Sequence, residues 1–516
     1  MRITKFKSEN SFTWGVALLT VSAIIVKLIG VCYKIPLVRL LGSEGMGYFN
    51  AAYDVYALLC IISTTGLPVA ISVVMSQYAK HHKRIVVLSL CIVIPLGLLG
   101  AAFVFFFAEM IAKQIGAPQV AQSLRFIAPA ILFICVSGAL RGYYQGKRNM
   151  APTAVSQVIE AAGKLLFGLL FAHFVIRHLN ASASVAAAFA VLGLSVGTLC
   201  CLLYLLFCNK REETTIKHEM MKTTNLLAAL WKVAFPVTLG AALSGLSKMI
   251  DLGLIMRRLQ DAGFSQEMSV SMYGCYSAMV IPLFSAVPSL FGSISMPVVS
   301  HLSHAVHSGN TVMQTQILNT SFRLSAAVSI PASLGMGMLS DLILTILFPG
   351  SAEQSVAIPL LILMSMSIPA SCMISTTSAI LQAYGHPWIP MISTALGALL
   401  KAITLYLLAG HAQIGILAAP VSTWLCCTLI SCVNLCCILK TAPAFSFAKP
   451  CLKTTLISAI SIGIASVLKR FIMQGLPVIV TVLLTVMSAV ALYVILGIKF
   501  RILQVSDFKS KLKKDS

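Results

Sequence analysis

Four lysines stand where lysine is expensive. Lys27, Lys164, Lys248 and Lys401 each lie well inside an apolar run long enough to cross a bilayer. A charge at bilayer depth costs on the order of 3 kcal/mol or more, so such residues face a protein-lined cavity or a partner, not lipid. Acids are scarcer in these runs, with Asp54, Glu160 and Asp251 clearly within them. Glu160 precedes Lys164 by one helical turn, and Lys248 precedes Asp251 by slightly less, so each pair shares a helix face. Two readings stay open for such pairs. One is local neutralisation, which lets a helix carry a polar face. The other is a cavity-lining pair that opens to bind substrate or a coupling ion. Lys27 and Lys34 share a face of the first helix, with Arg39 beyond them. Lys34 and Arg39 can stretch toward the membrane interface; Lys27 is too deep for that. Lys401 has no acid within a turn and is the strongest single candidate for an anion contact. The expectation is a cationic cavity drawn from Lys27, Lys34, Arg39, Arg141, Lys164, Lys248 and Lys401. Asp54, Glu160 and Asp251 are the candidates for binding a coupling cation, Na+ or H+, and no other cofactor is expected.

The elements that position these residues are transmembrane helices. The chain of 516 residues is 58% hydrophobic and only 10% charged, where a soluble protein carries roughly a quarter charged residues. Its mean hydropathy is +0.93. At about 20 apolar residues per span, there is room for about 14 spans. They fall near 12–33, 48–77, 85–112, 122–143, 152–176, 183–208, 227–256, 272–300, 317–348, 355–383, 388–410, 412–439, 452–473 and 476–498. The first is too long for a signal peptide and has no small-residue cleavage site. Many of the 15 cysteines lie in apolar helices as small hydrophobes, not in a disulfide scaffold. The net charge of +22 reflects the positive-inside rule rather than nucleic acid binding. Basic residues concentrate at the ends and loops that include Lys210–Lys222 and the tail from Lys499. Both termini and the central loop are therefore expected in the cytoplasm, with the tail against anionic headgroups.

A repeat organises the spans. Tyr144-Gln145-Gly146, Ser156 and Lys164 fall in step with Leu381-Gln382-Ala383, Ser393 and Lys401, and Pro152 with Pro390 to within one position. The expected layout is an N-lobe at 1–208 (spans 1–6), a linker at 209–225, and a C-lobe at 226–440 (spans 7–12). Spans 13–14 follow at 441–498, and a basic tail at 499–516. Parallel six-helix repeats are a recurrent transporter plan. Prolines within spans, among them Pro36, Pro282, Pro288 and Pro297, remove helix hydrogen bonds and are hinge candidates.

Other apparent motifs carry less. Gly193-Leu194-Ser195-Val196-Gly197 fits a hydrolase elbow, but sits inside an apolar helix and reads as a small-residue helix contact. His301, His304 and His307 read as a solvated helix end. The Cys426–Cys437 group has no nearby His or carboxylate to complete a metal site. No phosphate-loop motif or nucleophile–base constellation is visible, so no enzyme activity is expected.

Several stretches resemble a known family. They are Lys27-Leu-Ile-Gly30, Ile35-Pro36-Leu37, Arg39-Leu-Leu-Gly42-Ser-Glu-Gly45-Met-Gly47, Gly66-Leu67-Pro68-Val-Ala-Ile-Ser72, Leu140-Arg141-Gly142-Tyr143-Tyr144-Gln145-Gly146 and Met256–Phe264. They resemble polysaccharide exporters of the multidrug/oligosaccharidyl-lipid/polysaccharide (MOP) superfamily. The last stretch looks most like the stage V sporulation protein B branch, which is similar to lipid II flippases. The resemblance implies an all-α polytopic fold with two pseudo-symmetric six-helix lobes in a V, plus two C-terminal helices. It implies a flippase that moves an undecaprenyl-pyrophosphate-linked cell-wall precursor across the bacterial cytoplasmic membrane by alternating access, for peptidoglycan or spore cortex synthesis. Lys27 and Arg39 stand where lipid II flippases often have basic residues, whereas Tyr33-Lys34 replaces their usual Arg-Asp pair.

The expected partners are an anionic lipid-linked saccharide, membrane lipids and wall polymerases, with a cation gradient or the membrane potential as the drive. Two alternatives stand beside this reading. A cation-coupled drug exporter of the same fold would line its cavity with acids and aromatics. A non-transporting scaffold for wall-synthesis enzymes would tolerate neutral residues at Lys27, Lys164, Lys248 and Lys401.

Overall fold

The helices follow from long apolar runs in which backbone groups have no partner but each other. A computed structural model describes residues 2–61, 67–77, 82–147, 149–210, 223–349, 354–443, 445, 448–472 and 478–500. Among them the chain is helical throughout, with no strand. Eight helices are long and apolar enough to cross a membrane, and ten if each bent pair counts as one span. The protein is a multi-pass, all-α membrane protein. Residues 211–222, the greater part of the expected linker, and 501–516 of the basic tail lie outside the described residues.

The first helix departs from expectation. In place of a loop between spans 1 and 2, α1 (Arg2–Leu59) runs through the region with one non-helical residue, Gly42, at φ 66° and ψ −176°. A side chain would be strained there, and glycine is not. Pro36, the expected hinge, lies inside the helix six residues before this break. Then come α2 (Leu67–Gln77), α3 (His82–Phe106), a short α4 (Ala108–Ile115), α5 (Val120–Gly146), α6 (Ala151–Leu179) and α7 (Ala183–Lys210). Next are α8 (Thr223–Asp261) and α9 (Gln266–Cys275). A π turn at Tyr276–Val280 leads into α10 (Ile281–His307). The wide turn ends just before Pro282 and contains Ala278, the residue whose carbonyl a proline four positions on would crowd. Helical assignment continues through Pro288 and Pro297.

The remaining elements are α11 (Thr311–Met338), α12 (Ser340–Leu347), α13 (Gln354–Ser365), α14 (Ser367–Ala383), α15 (Trp388–Ala409), α16 (Ala418–Thr441), α17 (Ala448–Ile472) and α18 (Val478–Lys499). Spans 9 and 10, expected as single helices, are each broken. α11 and α12 meet at 73°, and α13 and α14 at 42°.

The chain forms two compact units, Met1–Gly274 and Cys275–Ser516. This division differs from the repeat boundary expected at 209–225. α8 packs with the first unit: Gly245 lies against Leu58 and Ile61. The repeat itself is visible within each unit. α5 ends at Gly146 and α6 starts at Ala151, while α14 ends at Ala383 and α15 starts at Trp388. The turns 147–150 and 384–387 are thus equal in length and in register with the sequence repeat.

In the second unit, two prolines free carbonyls that accept from other helices. Pro331 has no N–H for the Ala327 carbonyl one turn earlier; the Tyr493 hydroxyl of α18 donates to that oxygen at 2.6 Å. Pro369 likewise deprives the Ser365 carbonyl, which accepts from the Ser333 hydroxyl at 2.7 Å. Two carbonyls left without a donor by proline are therefore capped by hydroxyls from other helices. Each such bond contributes about 1 kcal/mol. Tyr493→Phe should lower stability by about that much but be nearly silent in a Pro331→Ala background, where the helix regains its own donor. Thermal unfolding of the four proteins in detergent checks this, and an equal cost in both backgrounds would refute the assignment.

Candidate functional site

Most charged residues singled out from sequence fall in the first unit, where the structure gathers them into two clusters. The first forms where α5 and α6 turn back on one another. Arg141 donates from Nη2 to Glu160 Oε2 at 2.8 Å, and Lys164 donates from Nζ to Glu160 Oε1 at 2.5 Å. Arg141 Nε also donates to Ser156 Oγ at 2.9 Å, and Nη2 lies 3.1 Å from Cys201 Sγ. Both Glu160 oxygens thus hold a cation, and the cluster keeps one net positive charge. Side-chain exposures are 11% for Arg141, 12% for Glu160 and 21% for Lys164. Desolvation of buried ions is tolerable only with partners this close.

Glycines make the cluster possible. A Cβ at Gly197 would stand 2.6 Å from the Lys164 nitrogen and 3.0 Å from the Glu160 carbonyl oxygen. Gly163 meets Gly197, and Gly193 meets Gly168. The stretch resembling a hydrolase elbow is therefore a close contact of α7 with α6. Its Ser195 hydroxyl donates to the Phe126 carbonyl at 2.7 Å. The same approach brings Cys201, two turns past Gly193, to the guanidinium.

The second cluster joins the two arms of α1 to α8 and α9. Tyr273 Oη donates to Asp54 Oδ2 at 2.6 Å. Lys34, Lys248 and Asp251 lie within electrostatic range of Asp54. Close backbone packing fixes this region: Gly274 meets the Ser43 carbonyl, Gly47 meets Val270, and the Ser43 and Ser271 hydroxyls are 2.6 Å apart. Lys34 is half-buried, Asp251 buried and Lys248 exposed. An aromatic row, Tyr33, Phe49, Tyr53 and Tyr56, runs along α1 with centroids 6.0–6.3 Å apart. Tyr53 is also within electrostatic range of Lys164, so α1 lies between the two clusters.

The other expected residues are placed differently. Lys27 and Arg39 are exposed on α1. Lys401 sits in the second unit and is only 5% exposed, near Cys427. Its position in the repeat matches Lys164, but Gly397 stands where Glu160 stands in the first unit. Ser393, the counterpart of Ser156, donates to Asn434 Oδ1 at 2.7 Å, and Asn434 donates to Thr377 at 3.2 Å. Sequence reasoning missed Tyr273 and Cys201. It also missed that Arg141 closes on Glu160. The short turn between α5 and α6 was the available signal for the last. Among the described residues, no cluster of His, Cys, Asp or Glu is arranged to hold a metal.

Long apolar helices enclosing ionic clusters define a polytopic membrane protein of the transporter kind. The family model described as polysaccharide biosynthesis protein matches residues 12–303. The chain belongs to that family. A second model, MatE, matches residues 274–407. The chain is 25% identical to stage V sporulation protein B of Bacillus subtilis (strain 168) over 97% of this chain and 98% of that one. It is 23% identical to the lipid II flippase MurJ of the same organism, over 75% and 76%. Among solved structures, it resembles the lipid II flippase MurJ in an inward closed conformation. The TM-score is 0.70 at 17% identity, covering 94% of this chain and 99% of that one. An inward-facing multidrug-resistance MATE transporter of the MOP superfamily follows with TM-score 0.67 at 12% identity, over 86% and 98%. Two of these relatives are described as a lipid II flippase and a multidrug-resistance transporter, and this chain shares their fold.

Glu160→Gln should destabilise the protein by about 3 kcal/mol, because it leaves Arg141 and Lys164 close together without their counter-charge. Thermal unfolding in detergent measures it. Unchanged stability would show that the cluster is not an ion-paired unit.

Proposed function

We propose that the protein is a flippase for an undecaprenyl-pyrophosphate-linked cell-wall sugar precursor, working in the bacterial cytoplasmic membrane with both termini in the cytoplasm. The observation that carries this reading is the excess of cationic side chains within the spans of the first unit. Arg141 and Lys164 share one carboxylate, Lys34 and Lys248 flank Asp54, and Lys27 and Arg39 are exposed on the same α1. A dianionic pyrophosphate is the ligand such a surplus favours, since cations in a low-dielectric site bind phosphate oxygens strongly. The similarity to a lipid II flippase supports the substrate class. The similarity to a sporulation protein along nearly the whole chain supports a role in spore cortex synthesis.

The two clusters take different roles in this proposal. Glu160 is saturated by two cations and serves to hold Arg141 and Lys164 in place. Asp54, which accepts one tyrosine hydroxyl, stands in for the phosphate while the site is empty. An arriving pyrophosphate takes Lys34 and Lys248, and Asp54 and Asp251 become available to a coupling Na+ or H+. Alternating exposure of this site to the two membrane faces completes transport, with Pro36, Pro282, Pro288 and Pro297 as bending points. Lys401 engages the substrate only in a state where its helices have separated. Wall polymerases would receive the product.

Reconstituted proteoliposomes with fluorescent lipid II test the reading. Lys34→Gln/Lys248→Gln should lower the initial translocation rate at least tenfold with normal insertion. Asp54→Asn should bind substrate more tightly yet turn over more slowly. Wild-type rates in the double lysine variant would exclude a headgroup site there. Transport of cationic drugs instead of lipid II would favour the exporter reading, which the MatE match to residues 274–407 supports.

A further inference from the structure

A second cationic site lies apart from both clusters, on the outer rim of the first unit. α4 is a short amphipathic helix that buries Ala108, Ala112 and Ile115 and turns Glu109, Met110 and Lys113 outward. It ends at Gly116, at φ 86°. The Gly116 carbonyl accepts from Gln260 Nε2 of α8 at 2.7 Å. This bond ties the end of α8 to the end of α4 and lays Arg257 beside Gly116: a Cβ there would be 3.4 Å from Arg257 Cγ. Between them opens a cleft of about 510 Å³, lined by Phe106, Phe107, Glu109, Met110, Lys113 and Arg257 among others.

The charges of this cleft are uneven. Glu109 is engaged by Arg125 at 2.7 Å, and the neighbouring Arg258 by Asp261 at 2.9 Å. Among the described residues, neither Lys113 nor Arg257 takes part in an ion pair. Both are exposed. Beside them Phe103, Phe105, Phe106 and Phe107 are exposed at 52%, 47%, 78% and 47%. Exposed apolar rings beside two exposed cations set an apolar face next to a cationic one.

We propose that this cleft binds the phosphate of an anionic membrane lipid. Lys113 and Arg257 hold the phosphate oxygens, Arg257 as a planar fork and Lys113 as a point charge. The phenylalanines lie along the acyl chains. Bound there, the lipid bridges α4 to α8 and steadies the end of the helix that carries Lys248 and Asp251. The two cations also face the negative end of α4, but that role needs no lipid, and the difference is measurable.

The test uses the full-length protein in neutral detergent, titrated with phosphatidylglycerol, phosphatidylcholine or inorganic pyrophosphate. Native mass spectrometry counts bound lipid, and thermal unfolding is followed in parallel. The expected result is that phosphatidylglycerol alone is retained and raises the unfolding midpoint. Lys113→Gln/Arg257→Gln should weaken that retention at least tenfold, and Glu109→Gln should strengthen it. Equal retention by the double variant and wild type would overturn the proposal. So would a fall in the unfolding midpoint that is the same with and without phosphatidylglycerol, which assigns the cations to α4 alone. Protection by pyrophosphate equal to that by lipid would overturn the lipid assignment in favour of a soluble phosphate. None of these results depends on whether lipid II is transported.

Discussion

The cost of placing charge in hydrocarbon governs this molecule. A lysine or glutamate at bilayer depth is retained only where protein, water or an opposite charge replaces the lost solvation. The first unit meets this constraint in two ways. Around Glu160 it does so by saturation, with a cation on each oxygen and helices packed closely enough at Gly163, Gly193 and Gly197 for the groups to touch. Around Asp54 it does so more loosely, with one hydroxyl at hydrogen-bond distance and cations at longer range. A saturated cluster resists change, whereas a loose one can exchange partners. The proposed division of roles, one cluster holding the helices and the other meeting the substrate, rests on that contrast.

The second unit meets a related constraint on backbone polarity. Its prolines would orphan carbonyls in lipid, and Ser333 and Tyr493 supply the missing donors. The same substitutions that weaken helices thereby tie α11 to α13 and to α18. This gives the C-terminal helices a definite task beyond filling the membrane, since Tyr493 and its neighbour Leu496 pack with Ala327 and Ile457 beside Pro331.

The membrane class and the all-helical fold were legible in the sequence, because apolar run length is a local signal. The turn between α5 and α6 and its counterpart between α14 and α15 fall where the repeat put them. The Glu160–Lys164 pair was legible from one-turn spacing. Arg141 as the third member lies on another helix, and only the short turn joining α5 to α6 hinted that it could reach Glu160. Tyr273 was invisible, since its partner is on another helix and sequence spacing carries no such distance. Gly42 was read as part of a loop because glycine marks turns and breaks alike; only its neighbours' helical backbone decides between them. The burial of Lys401 was also beyond sequence, since Cys427 approaches it from α16. Families with this fold carry different cargoes, so the match in fold leaves cargo to the charges.

The central claim is that Lys34 and Lys248 face water and an anionic headgroup, not lipid. It is tested most directly by Lys34→Cys and Lys248→Cys in a background whose native cysteines are replaced. A membrane-impermeant, charged thiol reagent is applied in the presence or absence of lipid II. The account predicts labelling at both positions and protection by lipid II, with no labelling at a cysteine placed on the exposed apolar face of α3. Absence of labelling at both, in protein that labels at a terminal control cysteine, would contradict it.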